Sequence, residues 1–150
     1  MRNQKELTGD KESLLLKAKS EGLRILSFMP RSVEELKTKL RDKGYETSLV
    51  DEVTAVFKKQ GLLDDNKFAR LYVNSRLHTR PSGHRTIETE LKQKGVPHVI
   101  IKEALKDLNN ETEKETALSL AKGRFERMAT LPRQKQKTRL YGLLKRRGFS

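Results

Sequence analysis

Apolar residues recur along this chain three and four apart, the spacing of a helix face, and almost never in the strict alternation of a strand. The pattern is also copied. Leu36-x-x-x-Leu40-x-x-x-Gly44-Tyr45, Ile87-x-x-x-Leu91-x-x-x-Gly95-Val96 and Leu140-x-x-x-Leu144-x-x-x-Gly148-Phe149 each follow a proline, and Pro30, Pro81 and Pro132 lie 51 residues apart, twice over. An internal repeat of that period predicts stacked supersecondary units, in which activity belongs to a shared surface more than to one buried pocket.

Three units follow from this register. The first, 14–61, opens with a helix from Leu14 to Met29, with Leu14, Ala18, Leu23 and Leu26 expected on one side, and Pro30 stops it. Ser32-x-x-Glu35 reads as a capping box for a second helix ending at Gly44. Ser48-x-x-Asp51 offers a further cap for a third, whose face is Leu49, Val50, Val53, Val56 and Phe57 and whose close is Gly61. The second unit, 62–108, repeats the plan. Asp64 or Asp65 caps its first helix, which carries Phe68, Ala69, Tyr72, Val73 and Leu77. Pro81-Ser82-Gly83 breaks that helix, and Pro97 suits the first position of the last one, with Ile100, Ile101, Ala104, Leu105 and Leu108. The third unit, 109–150, has Thr112-x-x-Glu115 as its capping box and Leu118, Ala121 and Phe125 as its first apolar face. It stops at Ser150, where a last helix is expected, so it reads as an incomplete repeat, with truncation preferred to a natural two-helix ending. Residues 1–13 lack an apolar face and read as a flexible tail. The expected fold class is all-α: tandem three-helix repeats forming an elongated, curved array, the third incomplete.

Composition adds a partner class. With 34% hydrophobic and 35% charged residues the core is lean, and a net charge of +13 points to a polyanion, nucleic acid before anionic membrane. The competing reading is that Lys and Arg only solubilise exposed helices. The charge is not even: Arg133, Lys135, Lys137, Arg139, Lys145, Arg146 and Arg147 form a run with no acidic residue among them, whereas Glu46, Asp51 and Glu52 make the first unit's third helix acidic. The second helices are basic in every unit and are expected to line up as a stripe. A third helix rich in carboxylates argues against reading of a duplex major groove by a helix-turn-helix. No apolar run approaches membrane-spanning length and the N-terminus is polar, so the expected location is the cytoplasm, with no membrane partner.

Chemistry finds no foothold. The absence of Cys excludes a disulfide framework and a thiolate metal site. His78, His84 and His98 lack ligand spacing, Asp64-Asp65 reads as a helix cap rather than a metal site, and Ser119-x-x-Lys122 falls within an ordinary helix pattern. Neither a phosphate-binding loop nor a dinucleotide fingerprint is present. The expectation is a protein that is not an enzyme and takes no cofactor.

Gly61-Leu62-Leu63-Asp64-Asp65-x-x-Phe68-Ala69-x-x-Tyr72-Val73-x-x-Arg76, followed by Arg80-x-x-Gly83-x-x-x-Ile87-x-x-Glu90-Leu91-x-x-Lys94-Gly95-Val96, resembles the central segment of the bacterial RecX regulatory proteins. Arg31-Ser32-x-x-Glu35-Leu36-x-x-Lys39-Leu40-x-x-Lys43-Gly44-Tyr45 and Leu143-Leu144-x-Arg146-Arg147-Gly148-Phe149-Ser150 are similar to the flanking units, so the resemblance spans about 14–150. It implies a monomer of tandem three-helix units without a catalytic site. Such a protein docks in the groove of RecA–DNA filaments, limits their extension and damps strand exchange and co-protease activity. The candidate contacts with filament or with single- or double-stranded DNA are Arg76, Arg80, Arg85, Lys92, Lys94, Arg124, Arg127, Arg133, Lys135, Lys137, Arg139, Lys145, Arg146 and Arg147. The alternatives are a general nucleic-acid-binding helical module with no recombinase target, and a helical adaptor whose basic face only keeps it in solution.

Overall fold

A computed structural model describes residues 4–150, with side chains from residue 9 onward. The described residues form eight helices and no strand: α1 (Gln4–Phe28), α2 (Val33–Asp42), α3 (Thr47–Lys59), α4 (Asp65–His78), α5 (His84–Gln93), α6 (His98–Ala104), α7 (Asn110–Glu126) and α8 (Arg133–Arg146). The expected tail is helical from Gln4 onward, and residues 1–3 lie outside the described residues. Lys, Glu and Leu are good helix formers, and no proline interrupts them before Pro30, so α1 extends N-terminally without needing an apolar face there.

The chain divides into two compact units, one running to Phe68 and the other from Ala69 to Ser150. In the first, α1, α2 and α3 enclose a core of Ala18, Ile25, Leu36, Leu40, Leu49, Val50, Val53, Phe57 and Leu63. Burying each large aliphatic or aromatic side chain contributes about 1.5–3 kcal/mol. The face of α1 differs from the expected one: Leu14 and Leu23 are about half exposed, and Ala18, Gly22 and Ile25 turn inward instead. Gly22 fixes that choice. A Cβ there would stand 2.7 Å from the Phe57 ring, so only glycine lets α1 lie this close to α3. In the second unit Ala69, Val73, Ile87, Leu91, Val96, Ile101, Leu105, Leu108 and Met128 are buried. Here too one expected face fails, since Leu118 and Phe125 of α7 remain 59% and 49% exposed.

The repeat is visible in the turns. Gly44, Gly95 and Gly148 all take positive φ, at 92°, 73° and 77°. The next residue's amide then reaches back to the last turn: Tyr45 N–H donates to Leu40 O, Val96 N–H to Leu91 O and Phe149 N–H to Leu144 O. This is the Schellman closure that satisfies otherwise unpaired helix carbonyls, and only glycine enters it without strain.

Helix starts follow expectation less closely. The Ser32–Glu35 capping box forms, with both hydrogen bonds at 3.1 Å. Ser48 does not cap α3, which begins at Thr47 after Glu46 with no side-chain cap bond. Thr112 is likewise inside α7, because Asn109 accepts from the Glu111 and Thr112 amides at 3.0 and 2.9 Å. Asparagine is a stronger cap than threonine, and it lies earlier in the chain. Pro97 occupies the cap position of α6 rather than its first residue.

The two aspartates before α4 divide the work. Asp64 caps α4, accepting from the Asn66 and Lys67 amides, while Asp65 reaches back to accept from Val33 N–H at 2.9 Å, the first amide of α2. Burial pushes the Asp65 carboxyl up from its ordinary value, against the opposing effect of that hydrogen bond. The second unit repeats the device with a different residue: His84 N–H, at the start of α5, donates to Glu113 of α7 at 3.3 Å. In both places a carboxylate from the following repeat covers an amide that a helix N-terminus leaves unpaired.

Candidate nucleic-acid interface

Sequence makes the candidate cations equivalent, but their surroundings do not. Arg76 of α4 is committed internally. Its Nε donates to Glu90 of α5 at 2.8 Å, its Nη2 donates to the Tyr72 hydroxyl at 2.8 Å, and that hydroxyl donates to the same Glu90 carboxylate at 2.8 Å. The Tyr72 ring centroid lies 5.1 Å from the Arg76 guanidinium and 5.4 Å from Lys94 Nζ, so one aromatic ring holds two cations. Burial alone would lower the Arg76 pKa, and the Tyr72 hydrogen bond with the Glu90 charge more than offsets it. Lys92 is also paired, at 2.6 Å from Glu88.

Arg147 belongs to the same neighbourhood. It is half-buried, with Nη1 3.5 Å from the Pro81 carbonyl, and burial followed by the Arg80 and Arg76 charges lowers its pKa, against Glu90. Its backbone is fixed as well: Arg147 O accepts from Gly83 N–H at 2.6 Å. The end of α8 therefore sits against the start of α5 backbone to backbone. Arg80 and Arg85 are exposed beside this contact.

The remaining eight cations stand on α7, α8 and the start of the turn between them. Arg124, Arg127, Arg139 and Arg146 converge on an open cleft of about 670 Å³ between the two helices, over a floor that includes Met128 and Leu143. No carboxylate lines it, and among the described residues none of these four has an ion-pair partner. The cleft keeps its shape because Gln136, buried on the inner face of α8, donates from Nε2 to Met128 O at 2.8 Å. Arg133, Lys135, Lys137 and Lys145 are exposed on α8 around it.

The expected stripe of basic second helices is uneven. On α2, Lys37 is held by Asp51 at 3.0 Å and Arg41 by Glu34, and just past its end Lys43 is held by Glu21 at 3.0 Å. Those charges are neutralised locally, whereas among the described residues those of α8 have no ion-pair partner. Sequence reasoning passed over Tyr72 and Glu90, which decide what Arg76 is for, and Tyr141, which is 70% exposed on α8. The signal for the first pair was their place in the quoted motif. The signal for Tyr141 was an aromatic residue inside a run of cations.

Among the described residues no group of three or more His, Cys, Asp or Glu is placed to hold a metal ion, and no helix is long and apolar enough to cross a membrane. The fold and this surface define an all-α protein of tandem three-helix domains with an unpaired basic face on its last helical pair. Residues 18–55 match the family signature described as RecX, first three-helix domain, and residues 64–105 match RecX, second three-helix domain. The regulatory protein RecX of Streptomyces coelicolor is 36% identical over 128 residues, covering 85% of this chain and 68% of that protein. That of Mycolicibacterium smegmatis is 35% identical over 137 residues, covering 89% and 73%. A crystal structure of regulatory protein RecX superposes with a TM-score of 0.81 at 26% identity, over all of this chain and 74% of the other. The chain belongs to the RecX family of regulatory proteins.

Proposed function

We propose that this protein is a non-enzymatic regulator that binds RecA–DNA filaments and damps their recombinase and co-protease activity in DNA repair. The observation that carries the reading is the contrast between helices: α2 pairs Lys37 with Asp51 and Arg41 with Glu34, while among the described residues the arginines of the α7–α8 cleft face solvent unpaired. An unpaired guanidinium cleft attracts phosphate and releases counterions on binding it. Family membership supplies the regulatory role, and a filament of nucleic acid and protein offers both phosphate and acidic surface to such a face. The protein acts by occupancy in this reading, so it needs no cofactor, and a monomer in the cytoplasm suffices.

Titration into RecA assembled on single-stranded DNA tests this, with ATP turnover and filament length as readouts. Turnover is expected to fall and filaments to shorten as the protein is added, more strongly at low salt. Unaffected filaments beside tight binding to naked DNA would replace this reading with a general nucleic-acid-binding module.

A further inference from the structure

Tyr141 occupies a position that the other repeats close with an ion pair. In register with it stand Lys37 of α2, held by Asp51 at 3.0 Å, and Glu88 of α5, held by Lys92 at 2.6 Å. In α8 the same place holds a phenol ring, 70% exposed, with Lys137 one turn before it and Lys145 one turn after. The neighbouring positions have changed in the same direction. Arg139 is in register with Glu35 and Thr86, and Arg146 with Asp42 and Gln93, so the third repeat has exchanged carboxylates and neutral residues for guanidiniums.

These groups share one helix. Thr138, one turn before Tyr141 on α8, lines the arginine cleft, so the ring stands on the flank of α8 next to the cleft-lining side. Gly142 also lines it. A Cβ at that position would meet the Arg146 Nη1 at 3.1 Å, so glycine leaves room for the guanidinium to lie along the helix beside the cleft. A helix with an exposed aromatic ring on one flank and unpaired guanidiniums on the next offers a strand that crosses it both a stacking face and phosphate-binding forks.

We propose that the α7–α8 cleft and Tyr141 form a site for single-stranded nucleic acid, with a backbone phosphate among the arginines and an unpaired base stacked on the ring. This deepens the reading given above and rests on its nucleic-acid half. The preference for a single strand follows from the ring. Bases inside a duplex have both faces covered by their neighbours, so only an unpaired base can lie on Tyr141. The arginines set affinity and its salt dependence without reading sequence.

The test uses the full chain alone, without recombinase, and short fluorescent oligonucleotides. A thymidine strand is expected to bind at least about fivefold tighter than an abasic strand of equal length and charge, the low end of what base–aromatic stacking supplies. Tyr141→Leu is expected to erase that difference, and Tyr141→Phe to keep it. Arg127→Gln with Arg139→Gln is expected to lower the slope of log affinity against log salt by about 0.7 for each phosphate that is no longer neutralised. All three positions are exposed, and unchanged helical circular dichroism confirms that the variants fold. Equal affinity for thymidine and abasic strands, or an unaltered preference in Tyr141→Leu, overturns the stacking site. Displacement of the strand by equimolar inorganic tripolyphosphate overturns it too, and assigns the cleft to free polyphosphate. If these binding results fail while filament turnover still responds, this inference falls and the proposed function stands; the converse result removes the recombinase target and leaves the site.

Discussion

Glu21 links two helices through one carboxylate. It accepts from Arg24 on its own helix at 2.6 Å and pairs with Lys43, just past the end of α2, at 3.0 Å. The Arg24 hydrogen bond first, and that of Lys43 second, hold its pKa down to about 2 from 4.5. A carboxylate depressed on folding contributes stability that is present above its ordinary value and lost as pH falls through the folded one. Glu21→Gln is therefore expected to lower the melting temperature slightly near neutrality, the pair being exposed and screened, and to leave it unchanged near pH 2, so that its curve falls less steeply between pH 4.5 and 2. Thermal melts of both forms across that range check it, and parallel curves would show that the pair adds nothing. The residue scale is also where sequence was least informative. Arg76, Arg139 and Arg147 read alike in a string of letters. In the structure one is spent on Glu90 and Tyr72, one faces a cleft, and one is half-buried against Pro81.

Among the helices, the junction of α8 with α5 depends on two glycines. A Cβ on Gly83 would lie 2.2 Å from Gly148 O, and one on Gly148 would lie 2.3 Å from Thr86 Oγ1. The obstacle to residue 83 is backbone, which cannot rotate away. Gly83→Ala is expected to cost about 1–3 kcal/mol in urea unfolding, the range for overpacking. Gly123→Ala, inside α7 with nothing within 4 Å, is expected to gain up to about 1 kcal/mol from helix propensity. Equal effects at the two sites would show that the junction does not constrain residue 83. Position 83 is in register with Ser32, which caps α2 through its hydroxyl. The repeat gave up that cap where another helix end had to approach. Element existence, the Ser32 capping box and the glycine closures were legible because each depends on neighbours within one turn. The inward faces of α1 and α7 were not, since a helix with apolar residues on several sides is oriented only by its partner. Phe57 makes that choice at Gly22, and nothing in the local sequence of α1 announces it.

Across the whole molecule, a net charge of +13 does not say where the charge offered to a partner lies. Paired cations on α2 neutralise themselves, so binding is expected to respond to position rather than to total charge. Arg139→Gln with Arg146→Gln is expected to weaken oligonucleotide affinity and suppression of RecA turnover by about tenfold at low salt, because two guanidiniums no longer neutralise phosphate. Lys37→Gln with Arg41→Gln removes the same formal charge and is expected to change either readout by less than about twofold, since Asp51 and Glu34 already occupy those side chains. Equal effects from the two pairs would show that only total charge counts. The sequence displayed the charge run of α8 openly. It did not show that Lys37, Arg41 and Lys43 were already spent, because their partners are carboxylates distant in sequence or across a turn.

The Asp65–Val33 hydrogen bond bears on where the first repeat can be cut. Gly61 ends its third helix, and a fragment designed from the sequence would stop there. That fragment would lack Leu63, which is 2% exposed within the first core, and Asp65, which accepts the first amide of α2. The shortest self-sufficient piece therefore borrows its last stitches from the opening turn of the next repeat.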